Sequence, residues 1–333
     1  MDTLESFLAA AAGAARVRVA ALESMSGGAI QDNRRLTAEI EGGPFAGTLD
    51  AVLRMDAPSR VAVSHSRARE FALLRRAHRA GAPVAEPLWL CADAAVLGRP
   101  FFVMRRMPGV AAGHRLVKEA EAGGWGESLA AQLGSALAKI HAIPVASPDL
   151  SFLSPPKESP ALELVARYRD FLDDLPDPAP AVEWGLAWLA RNAPPAGKIV
   201  LCHRDFRTGN YLVDNGRLSA VLDWEFAGLG DADEDIGWFL AKCWRFGKIE
   251  REAGGVGSRE TFLAAYEKAG GRTVDRARIG YWEIMAHARW AVIALQQAER
   301  HASGAEDSLE LALTAHVVPE LELEILDRTR EAA

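Results

Sequence analysis

The sequence predicts an α+β chain, with a small β-sheet lobe plus one helix followed by a larger, mainly helical lobe. Three observations carry this reading. Short β-patterned runs separated by turn signals crowd into the N-terminal third, a first helical pattern stops at Gly81, and beyond Gly109 the apolar residues recur mostly at helical spacing. A chain of 333 residues is also long for a single core. The boundary is expected near Met107, with residues 1–107 and 108–333 as the two parts. At 49% hydrophobic and 25% charged, the composition is ordinary for a globular protein.

In the first part, Val17 to Leu22, Arg34 to Ile40 and Thr48 to Arg54 read as strands, with Ser26-Gly27-Gly28 as a turn after the first. A helix is expected from Ser66 to Arg79, then a buried strand from Pro100 to Met104 leading into Arg105-Arg106-Met107-Pro108-Gly109. In the second part, helices are expected at Trp125 to His141, Ala161 to Leu172, Trp184 to Asn192, Ile236 to Trp244, Arg259 to Ala269 and Gly280 to Ala302. The second of these lies in a Pro-rich segment from Pro144 to Pro180, and the acidic stretch from Glu306 to Asp327 reads as a solvated helix face. Tyr211-Leu212-Val213 and Leu218 to Leu222 flank Asp214-Asn215-Gly216, a hairpin signal in which Asn-Gly supplies the positive φ angles of a two-residue turn.

The chemistry is concentrated in Leu201-Cys202-His203-Arg204-Asp205-Phe206-Arg207-Thr208-Gly209-Asn210 and in Val221-Leu222-Asp223-Trp224-Glu225. A His-x-Asp-x4-Asn pattern arises by accident in roughly one chain in a hundred of this length, before the second aspartate is required. Phosphoryl transfer has a loose, electron-rich transition state, so a protein that catalyses it must align a hydroxyl, position the phosphate and neutralise charge with metal. An Asp on a tight loop accepts the hydroxyl proton. An Asn five residues on supplies a hard oxygen for magnesium without adding charge. The hairpin returns the chain and delivers Asp223 to the same place, so two carboxylates and an amide are expected in one pocket.

These residues resemble the aminoglycoside phosphotransferase and choline kinase superfamily, which has the protein-kinase-like fold. Its His-Gly-Asp-x4-Asn loop is matched here with Arg204 in place of the Gly. The resemblance implies ATP and Mg2+ as cofactors, Asp205 as the catalytic base, Asn210 and Asp223 as magnesium ligands, and His203 as a support of the loop. Arg207 stands two after the base, where protein kinases keep a phosphate-contacting Lys. Gly230-Asp231-Ala232-Asp233-Glu234-Asp235-Ile236 resembles a family run whose later Asp braces the catalytic loop, a position that Asp235 matches, while Ala232 replaces a Pro. By the same resemblance Ser26, Gly27 and Gly28 would approach the phosphates, Arg54 would hold them in partnership with Glu70, and Arg105 to Met107 would form the hinge at the adenine edge. Glu225 has two readings, metal ligand or solvated carboxylate. His141 reads as a structural, hydrogen-bonded residue at a helix end.

Composition and patterning exclude other classes. A formal net charge of −7, with no basic run interleaved with aromatics, argues against nucleic acid as a partner. No apolar run reaches membrane-spanning length, and the Ala-rich stretch from Phe7 to Ala15 lacks a basic leader and is broken by Gly13, so neither a membrane span nor a signal peptide is expected. Cys91, Cys202 and Cys243 lie far apart without metal spacing, which fits a cytoplasmic location. The expected partner is a small-molecule hydroxyl acceptor. Trp238, Trp244, Trp282 and Trp290 read as core, with an aromatic acceptor wall as the alternative; Lys242 and Arg245 beside them favour an anionic or amphiphilic acceptor. The run from Leu222 to Asp231 resembles the branch associated with acyl-CoA dehydrogenases, which implies a hydroxyacyl-type acceptor. An aminoglycoside, choline or homoserine is the alternative acceptor, and a non-catalytic nucleotide-binding module the alternative function.

Overall fold

The computed structural model describes residues 2–25, 31–56, 64–270 and 272–331. In chain order its elements are α1 (Asp2–Ala12), β1 (Arg16–Ser24), β2 (Gln31–Glu41), β3 (Gly47–Asp56), α2 (Arg67–Arg79), β4 (Pro87–Cys91), α3 (Ala94–Leu97), β5 (Phe101–Arg105), α4 (Gly113–Gly123), α5 (Gly126–His141), α6 (Pro160–Asp173), α7 (Pro180–Arg191), β6 (Ile199–Cys202), β7 (Tyr211–Asp214), β8 (Arg217–Val221), β9 (Gly228–Asp231), α8 (Ala232–Leu240), α9 (Arg259–Gly270), α10 (Arg276–Ala302), α11 (Leu309–Thr314) and α12 (Val318–Glu331). The expected turn at Ser26-Gly27-Gly28 lies outside the described residues. The chain forms two compact units. One gathers Met1–Ala111, Ile143–Phe152 and Asn210–Ala227; the other gathers Ala112–Ala142, Leu153–Gly209 and Gly228–Ala333.

The first unit is built on an antiparallel five-stranded sheet in the order β1-β2-β3-β5-β4. Strand alternation decides what each face carries. Leu49, Ala51, Leu53 and Met55 of β3 join Leu4, Leu8 and Ala12 of α1 in one apolar cluster, with Leu36 and Ala38 of β2 and Phe101 and Val103 of β5. The intervening positions, Val52 and Arg54, point to the opposite face, where Phe71 of α2 meets Phe102 of β5 at 5.8 Å between ring centroids. β4 is an edge strand that opens on Pro87 and carries an irregularity between Pro87 and Trp89, which hid its period from the sequence. The hairpin β7–β8 also belongs to this unit. Its turn residues Asn215 and Gly216 take φ of 49° and 74°, as the Asn-Gly signal required.

The second unit is helical apart from the two-stranded β6–β9 ribbon. Its core joins Leu164 and Tyr168 of α6, Leu186 and Leu189 of α7, Trp282, Met285 and Ala288 of α10, and Leu321 and Ile325 of α12. Two helices differ from expectation for local reasons. α8 starts four residues earlier than Ile236 because Asp231 caps it, accepting the Asp233 N–H at 3.0 Å, and it stops at Leu240 because Ala241 turns to an extended ψ of 141°. A separate 3₁₀ turn then covers Lys242–Trp244. α10 begins at Arg276, where Asp275 accepts the Ala277 N–H at 3.0 Å. Among the described residues no helix is long and apolar enough to cross a membrane.

Candidate active site

In the first unit the predicted residues Arg54, Glu70 and Asp223 meet. Arg54 Nε lies 3.0 Å from Glu70 Oε1, its Nη2 lies 3.0 Å from Asp223 Oδ1, and its Nη1 donates to Asn33 Oδ1 at 3.4 Å. β3 turns Arg54 toward α2, and Glu70 sits in the first turn of that helix, where a carboxylate also complements the helix dipole. Both side chains are buried. Burial alone would lower the Arg54 pKa, but the carboxylates of Glu70, Asp223 and Glu225 raise it, so the guanidinium stays charged.

The sequence reading missed Arg67, which is fully buried beneath this pair. Its guanidinium meets Glu70, Asp56 at 2.8 Å and Glu225 at 3.8 Å, and donates to the His65 carbonyl at 3.1 Å. The i,i+3 spacing of Arg67 and Glu70 on a helix was the available signal. Two guanidiniums thus face four carboxylates. Part of that excess falls on Glu225, whose carboxyl is pushed up to about 7, mainly by burial and further by Glu70 and Asp223, against the pull of Arg54 and Arg67. Glu225 is therefore not the solvated carboxylate of one expectation: it is 4% exposed and bound into the arginine network.

The hairpin delivers the other two predicted oxygens. Tyr211 pairs with Val221, and the Leu222 N–H donates to the Asn210 carbonyl at 2.8 Å, so Asn210 and Asp223 emerge at the same end of the ladder. Asp223 has a left-handed backbone, φ 57° and ψ 65°, an unusual conformation for a residue with a Cβ and one that clusters at functional sites. An amide oxygen, a carboxylate and a local excess of negative charge are the donor set that a hard divalent cation such as magnesium takes.

The second unit holds the loop that carries Asp205, the residue expected to be the base. Asp235, fully buried in the first turn of α8, accepts the His203 N–H at 2.6 Å through Oδ2 and the Arg204 N–H at 2.7 Å through Oδ1. His141 Nε2 lies 3.1 Å from the same carboxylate, with its Nδ1 2.7 Å from the Tyr266 hydroxyl. His141 is thus a bonded structural histidine. Burial would raise the Asp235 pKa, but His141 and the loop N–H groups outweigh it and hold the carboxyl below its ordinary range. Arg204, where the family keeps Gly, adopts φ 64°, and its side chain donates to the Leu229 carbonyl at 2.8 Å with Glu234 at 3.5 Å. The nearby trio His141, Cys202 and Asp235 is a hydrogen-bonded core and no soft-metal site: the Cys202 thiol donates to the Asp231 carbonyl at 3.3 Å, and burial pushes it up, away from the thiolate.

Asp205 follows. Its N–H donates to His203 Nδ1 at 3.2 Å, and its Oδ1 accepts from Arg207 Nε at 3.1 Å and from the Trp238 indole N–H at 3.2 Å. Arg207 lies over the Trp244 ring, 4.5 Å from its centroid. Thr208, buried, donates to the Gly254 carbonyl at 2.7 Å and fixes the second half of the loop. Sequence reasoning missed the Trp238 and Thr208 contacts, because nothing in their spacing marks a bond to residues so distant along the chain. Lys242 and Arg245 are a correction. Neither is available to an anionic acceptor: Lys242 pairs with Glu324, and Arg245, 4% exposed, is held by the Leu240 and Ile249 carbonyls and by Glu252 at 3.2 Å. At the expected hinge, the Arg105 N–H donates to the Glu86 carbonyl at 2.9 Å and the Arg106 N–H to the Asp50 carbonyl at 3.2 Å.

The family model described as "phosphotransferase enzyme family" matches residues 22–281. The chain belongs to that family. The family's name makes it one of phosphotransferases. Mouse acyl-CoA dehydrogenase family member 10 is 26% identical over 53% of the chain, and human acyl-CoA dehydrogenase family member 11 is 25% identical over 81%. The chain spans only 16% and 36% of those relatives. Among solved structures, one from Ralstonia eutropha described as an aminoglycoside phosphotransferase is 17% identical, with a TM-score of 0.73 over 99% of this chain and 98% of that one. Aminoglycoside phosphotransferase APH(4)-Ia, solved with ADP and hygromycin B, is also 17% identical, with a TM-score of 0.63 over 99% of each chain. The protein-kinase-like α+β fold expected from the motifs is thus the fold of this phosphotransferase.

Proposed function

We propose that the protein is an ATP- and magnesium-dependent kinase that transfers the γ-phosphate to a hydroxyl of a small molecule, with Asp205 as the base. The observation that carries this reading is the end of the β7–β8 hairpin, where Asn210 and Asp223 emerge together and Asp223 is tied to Arg54 at 3.0 Å. In this reading Arg54, fixed by Glu70, holds nucleotide phosphates, and Arg105 to Met107 meet the adenine. Asn210 and Asp223 hold magnesium, which when bound neutralises charge on the phosphate oxygens. The nucleotide found in the similar structure, ADP, supports ATP as the donor.

Asp205 accepts the proton of the attacking hydroxyl. Arg207, which already touches its carboxylate, offsets negative charge as the phosphoryl group moves. His203 and Asp235 support the loop, which keeps the base oriented without a rearrangement at the moment of transfer. The division of labour falls near Met107, with nucleotide binding before it and catalysis and acceptor binding after it. A cytoplasmic location fits three free cysteines. The relatives favour a hydroxyacyl-type acceptor over an aminoglycoside, choline or homoserine. A non-catalytic module would call for loss of the base or a metal ligand, and the sequence retains Asp205, Asn210 and Asp223.

The test is mass spectrometry of a bacterial metabolite extract incubated with Mg-ATP and either the wild type or Asp205→Asn. A phosphorylated product formed by the wild type alone is expected. Equal product from Asp205→Asn removes Asp205 as the base, and no product from a protein that binds Mg-ATP favours the nucleotide-binding module.

A further inference from the structure

The base-bearing loop of the second unit rests on a stack of tryptophans. Trp238 and Trp244 lie 4.9 Å apart between ring centroids, and Trp244 and Trp290 lie 5.1 Å apart. A guanidinium covers each of the first two rings: Arg207 over Trp244 at 4.5 Å, and Arg289 over Trp238 at 4.2 Å. Trp238 donates its indole N–H to Asp205, so a single indole separates Arg289 from the proposed base.

Arg289 differs from most of the arginines around it; Arg167, which also reaches Glu234, is exposed and likewise unpaired among the described residues. Arg204 faces Glu234, Arg245 and Arg259 share Glu252 and Glu283, Arg272 binds Asp233, and Arg278 binds Asp231 and Asp233. Arg289 makes no ion pair and no hydrogen bond with any described residue, and it is only partly buried. Its charge reaches Glu234, but that carboxyl is buried and already paired with Arg204. A guanidinium over an indole face keeps its charge and its N–H donors, which suit recognition of an oxyanion. Arg207 is already paired with Asp205, which leaves Arg289 as the guanidinium beside Trp238 without an ion pair among the described residues. A polycationic acceptor would need convergent carboxylates here, and the acidic residues of this region are engaged by the arginines named above.

We propose that Arg289 determines acceptor specificity by binding an anionic group, a carboxylate or a phosphate, on the molecule whose hydroxyl is phosphorylated. This inference rests on the kinase reading. It assigns the recognition first expected of Lys242 and Arg245 to a residue that no sequence pattern marks.

The test separates a metabolite extract by anion exchange at neutral pH into anionic and non-anionic pools and incubates each with Mg-ATP and enzyme. Phosphorylated product from the anionic pool alone is expected, and its mass and fragmentation tell carboxylate from phosphate. Arg289→Met should lower product formation at limiting acceptor by about 10- to 100-fold, the factor of a lost hydrogen bond to a charged group. Raising the acceptor concentration should restore the rate, Arg289→Lys should retain most of it, and binding of the non-hydrolysable Mg-AMP-PNP should not change. Arg289→Gln repeats the measurement if the Met variant melts early. Product from the non-anionic pool, or an Arg289→Met variant equal to wild type at limiting acceptor, overturns the proposal and leaves the kinase reading standing. No product from either pool removes both.

Discussion

Replacing Asp235 with Ala tests whether one carboxylate holds the base-bearing loop. The change removes the acceptor for two backbone N–H groups, at 2.6 and 2.7 Å, and a partner of His141 at 3.1 Å. An orphaned buried donor costs about 1–3 kcal/mol, so the loss should be about 3–5 kcal/mol. Arg204, at φ 64°, then loses the backbone bond that helps keep it in a left-handed conformation that a side chain disfavours, and retains only its side-chain contacts to Leu229 and Glu234. At about 2–4 °C per kcal/mol for a unit of this size, the melting transition should fall by roughly 10 °C, followed through the fluorescence of the buried Trp238, Trp244 and Trp282. The pH dependence is a second readout. The Asp235 carboxyl is held below its ordinary 3.8 in the folded state, so its contribution is complete above that value and is lost as pH falls through the folded pKa. The gap between wild type and variant should therefore be widest near neutrality and close below about pH 4. A variant melting within a degree of wild type at pH 7, or a gap that does not change with pH, would refute the reasoning.

Two further variants probe the first unit. Arg67→Met removes a partner of the buried Glu70 and Glu225 and of the partly exposed Asp56, leaving Glu70 only Arg54, and should cost about 3–5 kcal/mol in urea unfolding; a loss under 1 kcal/mol would show that the guanidinium is dispensable. Glu225 is pushed up to about 7 from 4.5, so between those values the unfolded chain releases a proton that the folded one keeps, and stability falls as pH rises, by about 3 kcal/mol across the window. Glu225→Gln should abolish that fall and gain on wild type between pH 5 and 8, whereas parallel melting curves would contradict the shift.

What could be read from the sequence was local. The hairpin was legible because Asn215-Gly216 sets its own backbone, and that turn carried the expectation that Asn210 and Asp223 come together. Arg54 and Glu70 were legible from order, a cation on the third strand and a carboxylate on the next helix. Most of what was missed involves distance along the chain. Trp238 reaches Asp205 across 33 residues and Thr208 reaches Gly254 across 46, and no period or spacing reports such bonds. Lys242 and Arg245 were misjudged for the opposite reason. Their charge is visible in the sequence, but whether a charge is free depends on Glu324, Glu252 and Glu283, which only the fold brings to them.

The same distinction between charge and available charge gives the site its direction. In the first unit, two arginines face Asp56, Glu70, Asp223 and Glu225, an excess of carboxylate that the proposed divalent cation would relieve. In the second, Arg207 is paired with Asp205 and Arg204 with Glu234, while Arg289 lies over Trp238 with no ion pair of its own among the described residues. A buried imbalance is costly unless a ligand completes it, since an uncompensated charge loses hydration on burial and gains no partner. The first unit is therefore electrostatically unfinished in the sense its proposed metal would correct, and the second leaves the Arg289 guanidinium, which has no ion pair among the described residues, for the proposed anionic acceptor.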